Sequence, residues 1–244
     1  MANYKIIVQY KGTNYSGWQI QEGKNTIQGA LQQAIFNVTG ESVEVVGSGR
    51  TDAGVSAIAQ VANFEIKQDF EPNKLGRAIN AHLPADIAVQ SAQIVDEKFN
   101  SRFNAKQKTY HYYFYVSNNR MPLYDGFALQ VKQANVADMQ EACKYIVGTY
   151  NFKSFVARNS GKTNFERTVF ECKIERVENC LYRLIITGNG FLYNMVRIVM
   201  GTLILVGEGK RKPSAMADII LAKNRTKAGK TVEPIGLVLH SVKY

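Results

Sequence analysis

The sequence predicts an α+β fold of two ferredoxin-like (βαββαβ) halves, with one continuous, mostly antiparallel central sheet flanked by helices. Three observations carry this reading. The order strand, helix, strand, strand, helix, strand can be read twice along the chain, without evident identity between the copies. Strands show apolar residues at every second position and helices at every third or fourth, so the two element types separate by period. No low-complexity stretch parts the copies, which sets the halves at 1–104 and 105–244 and predicts one rigid body.

In the first half, Tyr4, Ile6, Val8 and Tyr10 alternate with mostly polar neighbours, as in a half-buried strand. Residues 11–24 form a polar, glycine-containing loop around Trp18, the single tryptophan, read as a packing anchor. Ile27, Leu31, Ala34, Ile35 and Val38 share one helical face; Asn25 is the expected N-cap, and Gly40 stops the helix. Val43–Val46 reads as a short strand, followed by the glycine-punctuated turn 47–54. A strand is expected over 57–66. Pro72 then opens a helix to about Leu83, because Leu75, Ile79 and Leu83 recur every fourth residue and Pro84 ends the run. Residues 87–95 return as a strand.

The second half opens with a strand over 106–117, where Tyr110, Tyr112, Phe114 and Val116 alternate. A helix is expected over 135–147, capped by Asn135 and closed by Gly148. Strands follow at 167–176 and 181–187. A helix from Phe191 to Val206 closes at Gly207, a short helix starts at Pro213, and the last strand covers 236–243.

At 244 residues and 45% hydrophobic, the chain is long and apolar enough for a sizeable core. Thirty Lys and Arg against 20 Asp and Glu leave +10, which favours a polyanionic partner. The longest apolar run, Ile198–Gly207, is too short to span a bilayer, so no membrane association is expected. No signal peptide is legible, and the odd set Cys143, Cys172 and Cys180 reads as reduced thiols in a cytoplasmic protein. His82, His111 and His240 are scattered, so no metal site is predicted.

The most informative segment is Gly49-Arg50-Thr51-Asp52-Ala53-Gly54. Its glycines permit a tight connection between strands and place Asp52 at a strand edge, with Arg50 on the same side if the chain is extended there. An aspartate in such a loop often does no more than hydrogen-bond its own backbone. Here, however, an acid that repels phosphate stands between glycines in a basic chain, and the wider pattern matches a known family. Gly49–Val55 resembles the active-site signature of the TruA family of tRNA pseudouridine synthases. Tyr15-Ser16-Gly17-Trp18-Gln19-Ile20-Gln21, Thr26–Leu31, Phe103-Asn104-Ala105, Lys108–Tyr112, Asn151–Phe155, Arg167-Thr168, Gly190–Arg197 and Gly236-Leu237 resemble further family motifs, in the family's order over nearly the whole chain. Three places depart: Ser56 stands where the family usually has His, Lys108 replaces an Arg, and Gly229–Pro234 lacks the usual proline pattern.

The resemblance implies the pseudouridine synthase fold and isomerisation of uridine at positions 38, 39 and 40 of the tRNA anticodon stem-loop. It also implies a homodimer that contacts tRNA and uses no cofactor. Asp52 is the implied catalytic carboxylate, as nucleophile or as base at C2′, and Arg197 from the other half is its partner. Tyr110 would stack on the displaced base and help in a proton transfer. Arg50 would hold the flipped nucleotide or its gap. Leu237 either packs beneath the base or is a plain core leucine. Lys210-Arg211-Lys212 and Lys223–Lys230 are solvated loops or tracks for the tRNA backbone. Two other readings of the chain stay open: a non-catalytic RRM-like RNA-binding protein, and a related synthase with another RNA target.

Overall fold

A computed structural model describes residues 1–157 and 163–244. Among these are ten strands and five α-helices in a mixed α+β arrangement with mostly antiparallel pairing. The chain divides into two compact units, Met1–Lys106 with Val238–Tyr244, and Gln107–Leu237.

The first unit contains β1 (Ala2–Tyr10), α1 (Ile27–Thr39), β2 (Val46–Gly47), β3 (Ser56–Ile66), α2 (Pro72–His82) and β4 (Ile87–Val95). Strand β1 pairs antiparallel with β3 on one side and with β4 on the other. Strand β3 serves two further partners along its length. Ala62 and Asn63 pair with β2, while Ser56 and Ala57 take the start of the C-terminal strand in parallel, Val238 on Ser56 and Leu239 on Ala57. The predicted alternation in β1 is realised: Tyr4, Ile6, Val8 and Tyr10 are buried. Leu31 and Ile35 of α1 and Leu75 and Ile79 of α2 are buried with them, each contributing roughly 1.5–3 kcal/mol relative to exposure.

The second unit contains β5 (Gln107–Val116), β6 (Leu129–Val131), α3 (Val136–Lys144), β7 (Gly148–Asn151), β8 (Glu166–Glu178), β9 (Leu181–Gly188), α4 (Met195–Gly207) and α5 (Ala215–Ala222). Strands β5, β9, β8 and β7 are neighbours in that order, all antiparallel, and β6 lies parallel to β5. Tyr112 and Phe114 of β5, Leu184 and Ile186 of β9, and Met139 and Ala142 of α3 are fully buried or nearly so. Helix α4 is buried around most of its circumference, which its almost uninterrupted apolar run requires. The final strand, β10, covers Leu237–Lys243. Among the described residues, no helix is long and apolar enough to cross a membrane.

Several boundaries differ from expectation. The cap of α1 is Thr26, whose hydroxyl accepts from Gly29 N–H at 3.3 Å, while the Asn25 amide turns back to Asn14 O. Residues 43–45 are not strand. Val45 N–H is taken by Gln32 Oε1 and Val45 O by Gln28 Nε2, so α1 side chains replace ladder bonds there. Gly148 does not merely close α3, which ends at Lys144; with φ of 133° it begins β7. Helix α4 starts at Met195 rather than Phe191, because Asn194 is left-handed with φ of 60°. Strands β6 and β7 were not predicted, being short and weakly alternating.

Candidate active site

Within the first unit, the Asp52 loop is held by the loop before α1. Trp18 N–H donates to Thr51 O at 3.1 Å, and Gly54 N–H donates to Tyr15 O at 3.2 Å. The Tyr10 and Thr51 hydroxyls bond at 2.8 Å. Burial pushes the Tyr10 phenol up, with Thr51 opposing more weakly, so it stays protonated. Val55 N–H closes a turn on Asp52 O at 3.1 Å, and Gly54 supplies the positive φ of 79°. Upstream, Ser48 Oγ donates to Gln60 Oε1 at 2.6 Å and Gln60 Nε2 to Gly49 O at 2.9 Å. Asp52 is thus half-buried on a loop whose backbone is fastened before and after it, and Arg50 on the same loop is exposed.

The bracing loop is itself anchored to the start of α1. Ile27 N–H reaches Gly17 O at 3.2 Å and Gln28 N–H reaches Trp18 O at 3.0 Å. Two glycines allow this close approach. Gly17 has φ of 95°, and a Cβ there would stand 2.6 Å from Thr51 O; one on Gly47 would stand 2.5 Å from the Trp18 ring. Trp18 is therefore a packing anchor, as expected, buried and 6.2 Å from the Tyr10 ring. Ser56, where the family pattern has His, accepts Gly12 N–H at 3.0 Å and so adds another tie between the loops.

In the second unit, Tyr110 lies on β5 opposite Ile186 and is 8% exposed. Its ring meets Phe191 edge-on at 5.2 Å. Arg197 is half-buried in the first turn of α4. Its Nη1 donates to Asn194 Oδ1 at 2.8 Å and its Nε to Val232 O at 2.8 Å. The segment holding Arg197 continues to Leu237. Tyr112 Oη donates to Glu233 O at 2.6 Å, Tyr113 N–H to Gly236 O at 2.8 Å and Leu237 N–H to Pro234 O at 2.8 Å. Burial raises the Tyr112 phenol and the Arg197 charge partly opposes this. Tyr112, expected to be an ordinary sheet aromatic, thus also fastens this segment. Leu237 is buried.

Arg50 and Asp52 therefore share one loop of the first unit, while Arg197 and Leu237 are tied to one segment of the second, with Tyr110 two residues before Tyr112 on the same strand face. Asn194 and Val232 had not been anticipated. The spacing of Asn194 and Arg197, three apart at a helix start, carries a readable signal. A main-chain acceptor such as Val232 O leaves none.

The chain thus fastens an aspartate on a glycine-framed loop of its first unit and an arginine on a segment of its second unit that the buried Tyr112 helps to hold. The family model described as tRNA pseudouridine synthase matches residues 6–104 and 142–244. Over the full length of both chains, the sequence is 44% identical to tRNA pseudouridine synthase A of Thermoanaerobacter sp. (strain X514) and 42% identical to that of Caldicellulosiruptor saccharolyticus. It is 41% identical, again over the full length, to that of Clostridium botulinum (strain Alaska E43 / Type E3). The chain belongs to the tRNA pseudouridine synthase family, a family of isomerases. Among solved structures, an archaeal box H/ACA sRNP Nop10-Cbf5 complex aligns with a TM-score of 0.36 and 11% identity, over 96% of this chain and 46% of that one.

Proposed function

We propose that this isomerase converts uridine to pseudouridine at positions 38, 39 and 40 of the tRNA anticodon stem-loop, as a cytoplasmic homodimer without a cofactor. The observation that carries this reading is the fastening of the Asp52 loop through Thr51 and Gly54. A carboxylate presented by a braced backbone does not have to be ordered when substrate arrives. The reaction breaks N1–C1′, turns the base and forms C5–C1′; C5 loses a proton and N1 gains one, so atoms and electrons balance within the substrate. Asp52 acts on the sugar, as nucleophile or as base at C2′. Arg197 is the cationic partner proposed for it, since a positive charge near a carboxylate favours the ionised form. Tyr110 stacks on the displaced base, worth about 1–3 kcal/mol, which offsets part of the few kcal/mol that flipping costs. Arg50 holds the flipped nucleotide or its gap, and Leu237 packs beneath the base.

The first test is tritium release from C5-labelled uridine in tRNA, with no added metal or nucleotide. Wild-type protein is expected to release tritium, and Asp52→Ala to release none while binding tRNA within about threefold of wild type. A fully active Asp52→Ala protein removes Asp52 from the mechanism. A primary isotope effect with 2′-deuterated uridine assigns the C2′ base route. Pseudouridine mapping in tRNA from a deletion strain reads the target positions, and sedimentation of the purified protein reads the dimer.

A further inference from the structure

We propose that Thr202, with Gly201 and Arg225, is a positioning residue for Arg197, acting through the segment 225–232. The inference rests on the role given to Arg197 above and adds what sets the place of its guanidinium. The segment lies against α4 where the helix has no side chain to hold it away: a Cβ on Gly201 would overlap Lys230 O, and one on Gly229 would overlap Gly201 O. At that crossing, the Thr202 hydroxyl accepts Gly229 N–H at 2.9 Å and donates to Ile198 O at 2.7 Å, one turn back. Arg225 grips the same stretch, with Nη1 on Gly229 O at 2.8 Å and Nη2 on Thr231 Oγ1 at 3.3 Å.

Three residues beyond Gly229 comes Val232. Its carbonyl takes Arg197 Nε at 2.8 Å, and its N–H points back to Arg197 O at 3.5 Å. A side chain is only as fixed as the acceptor that orients it, and a three-residue stretch of at most about 10 Å leaves Val232 little freedom once Gly229 is clamped. Thr202 is also fully buried in a helix whose other residues, Arg197 apart, are apolar. A hydroxyl in such a place costs stability unless bonded, and here it is bonded on both sides. For packing alone, Val would fill the same volume. The hydroxyl is needed only because the crossing segment presents a buried N–H.

Single-turnover tritium release at saturating tRNA tests this. Thr202→Val is expected to lower the rate constant about ten- to hundredfold, the scale of a misplacement near 1 Å, with tRNA affinity unchanged within about threefold. Thr202→Ser, which restores the acceptor, is expected to recover the rate. On an Arg197→Ala background, Thr202→Val is expected to cause no further loss, because the group it positions is gone. An equal fractional loss on both backgrounds, or a wild-type rate in Thr202→Val, overturns the proposal. Full activity in Arg197→Ala overturns instead the role of Arg197, and this inference with it. Melting curves establish that the variants fold; if Thr202→Val does not, Arg225→Gln is put through the same comparison.

Discussion

Gly17 shows how much the proposed chemistry depends on the backbone that holds the Asp52 loop. Its φ of 95° lies where side chains are strained, and a Cβ would press on Thr51 O, the atom through which Trp18 holds the Asp52 loop. Gly17→Ala is therefore expected to lower turnover about a hundredfold, since the loop must shift by a good part of an ångström. The tRNA dissociation constant is expected to stay near that of wild type. Stopped-time tritium release and filter binding check the two halves of this statement, and a variant with normal turnover would show that the carboxylate tolerates a loosened frame. The sequence displays Asp52 and Arg197 plainly, because a motif marks each. It hides the acceptors that orient them: Thr51 O and Val232 O are backbone atoms, which carry no residue-type signature.

Among the elements, α1 does more than cover a sheet face. Gln28, on its buried side, takes Ile20 N–H at 3.0 Å and donates to Val45 O at 2.9 Å, tying the loop before the helix to the chain after it. Gln28→Leu keeps the volume but leaves both main-chain groups without these partners. Losing such bonds costs roughly 1–3 kcal/mol, so a melting temperature several degrees below wild type is expected in a thermal scan. An unchanged midpoint would mean that water replaces the amide. The same contacts explain why the short strand expected over Val43–Val46 is confined to Val46 and Gly47. Its alternating valines satisfy the period-2 pattern, but Gln28 and Gln32 occupy the backbone groups that a ladder would need. Where propensity was strong and local, as for β1, β4 and α2, the boundaries agree within a residue. Where an end depends on one left-handed residue, as at Asn194, periodicity alone places it too early.

At the scale of the molecule, the repeat of element order was legible, but the partner of the last strand was not. Val238–Tyr244 groups with the first unit, through Val238 and Leu239 on β3, Lys106 N–H on Lys243 O and Tyr244 Oη on Ser101 O. Strand partnership is non-local, and no residue pattern within 236–243 announces it. The charge of +10, by contrast, is readable at once and has a consequence for binding. Each phosphate neutralised by a Lys or Arg releases counterions, so log affinity falls with log salt by about 0.7–0.9 per contact. The two basic loops differ in what their lysines already engage. Lys210 is paired with Glu208 at 2.7 Å, whereas Lys223, next to the helix end Ala222, and Lys227 are exposed on the segment that leads to Gly229. Replacing Lys223 and Lys227 by Gln is expected to weaken tRNA binding and flatten the salt slope by about 1.5. Lys210→Gln is expected to change the slope by less than about 0.5, because the Glu208 carboxylate beside it repels a phosphate and offsets the lysine charge. Filter binding from low to moderate salt distinguishes these outcomes, and a larger effect from Lys210→Gln would place the tRNA backbone along the 210–212 loop instead.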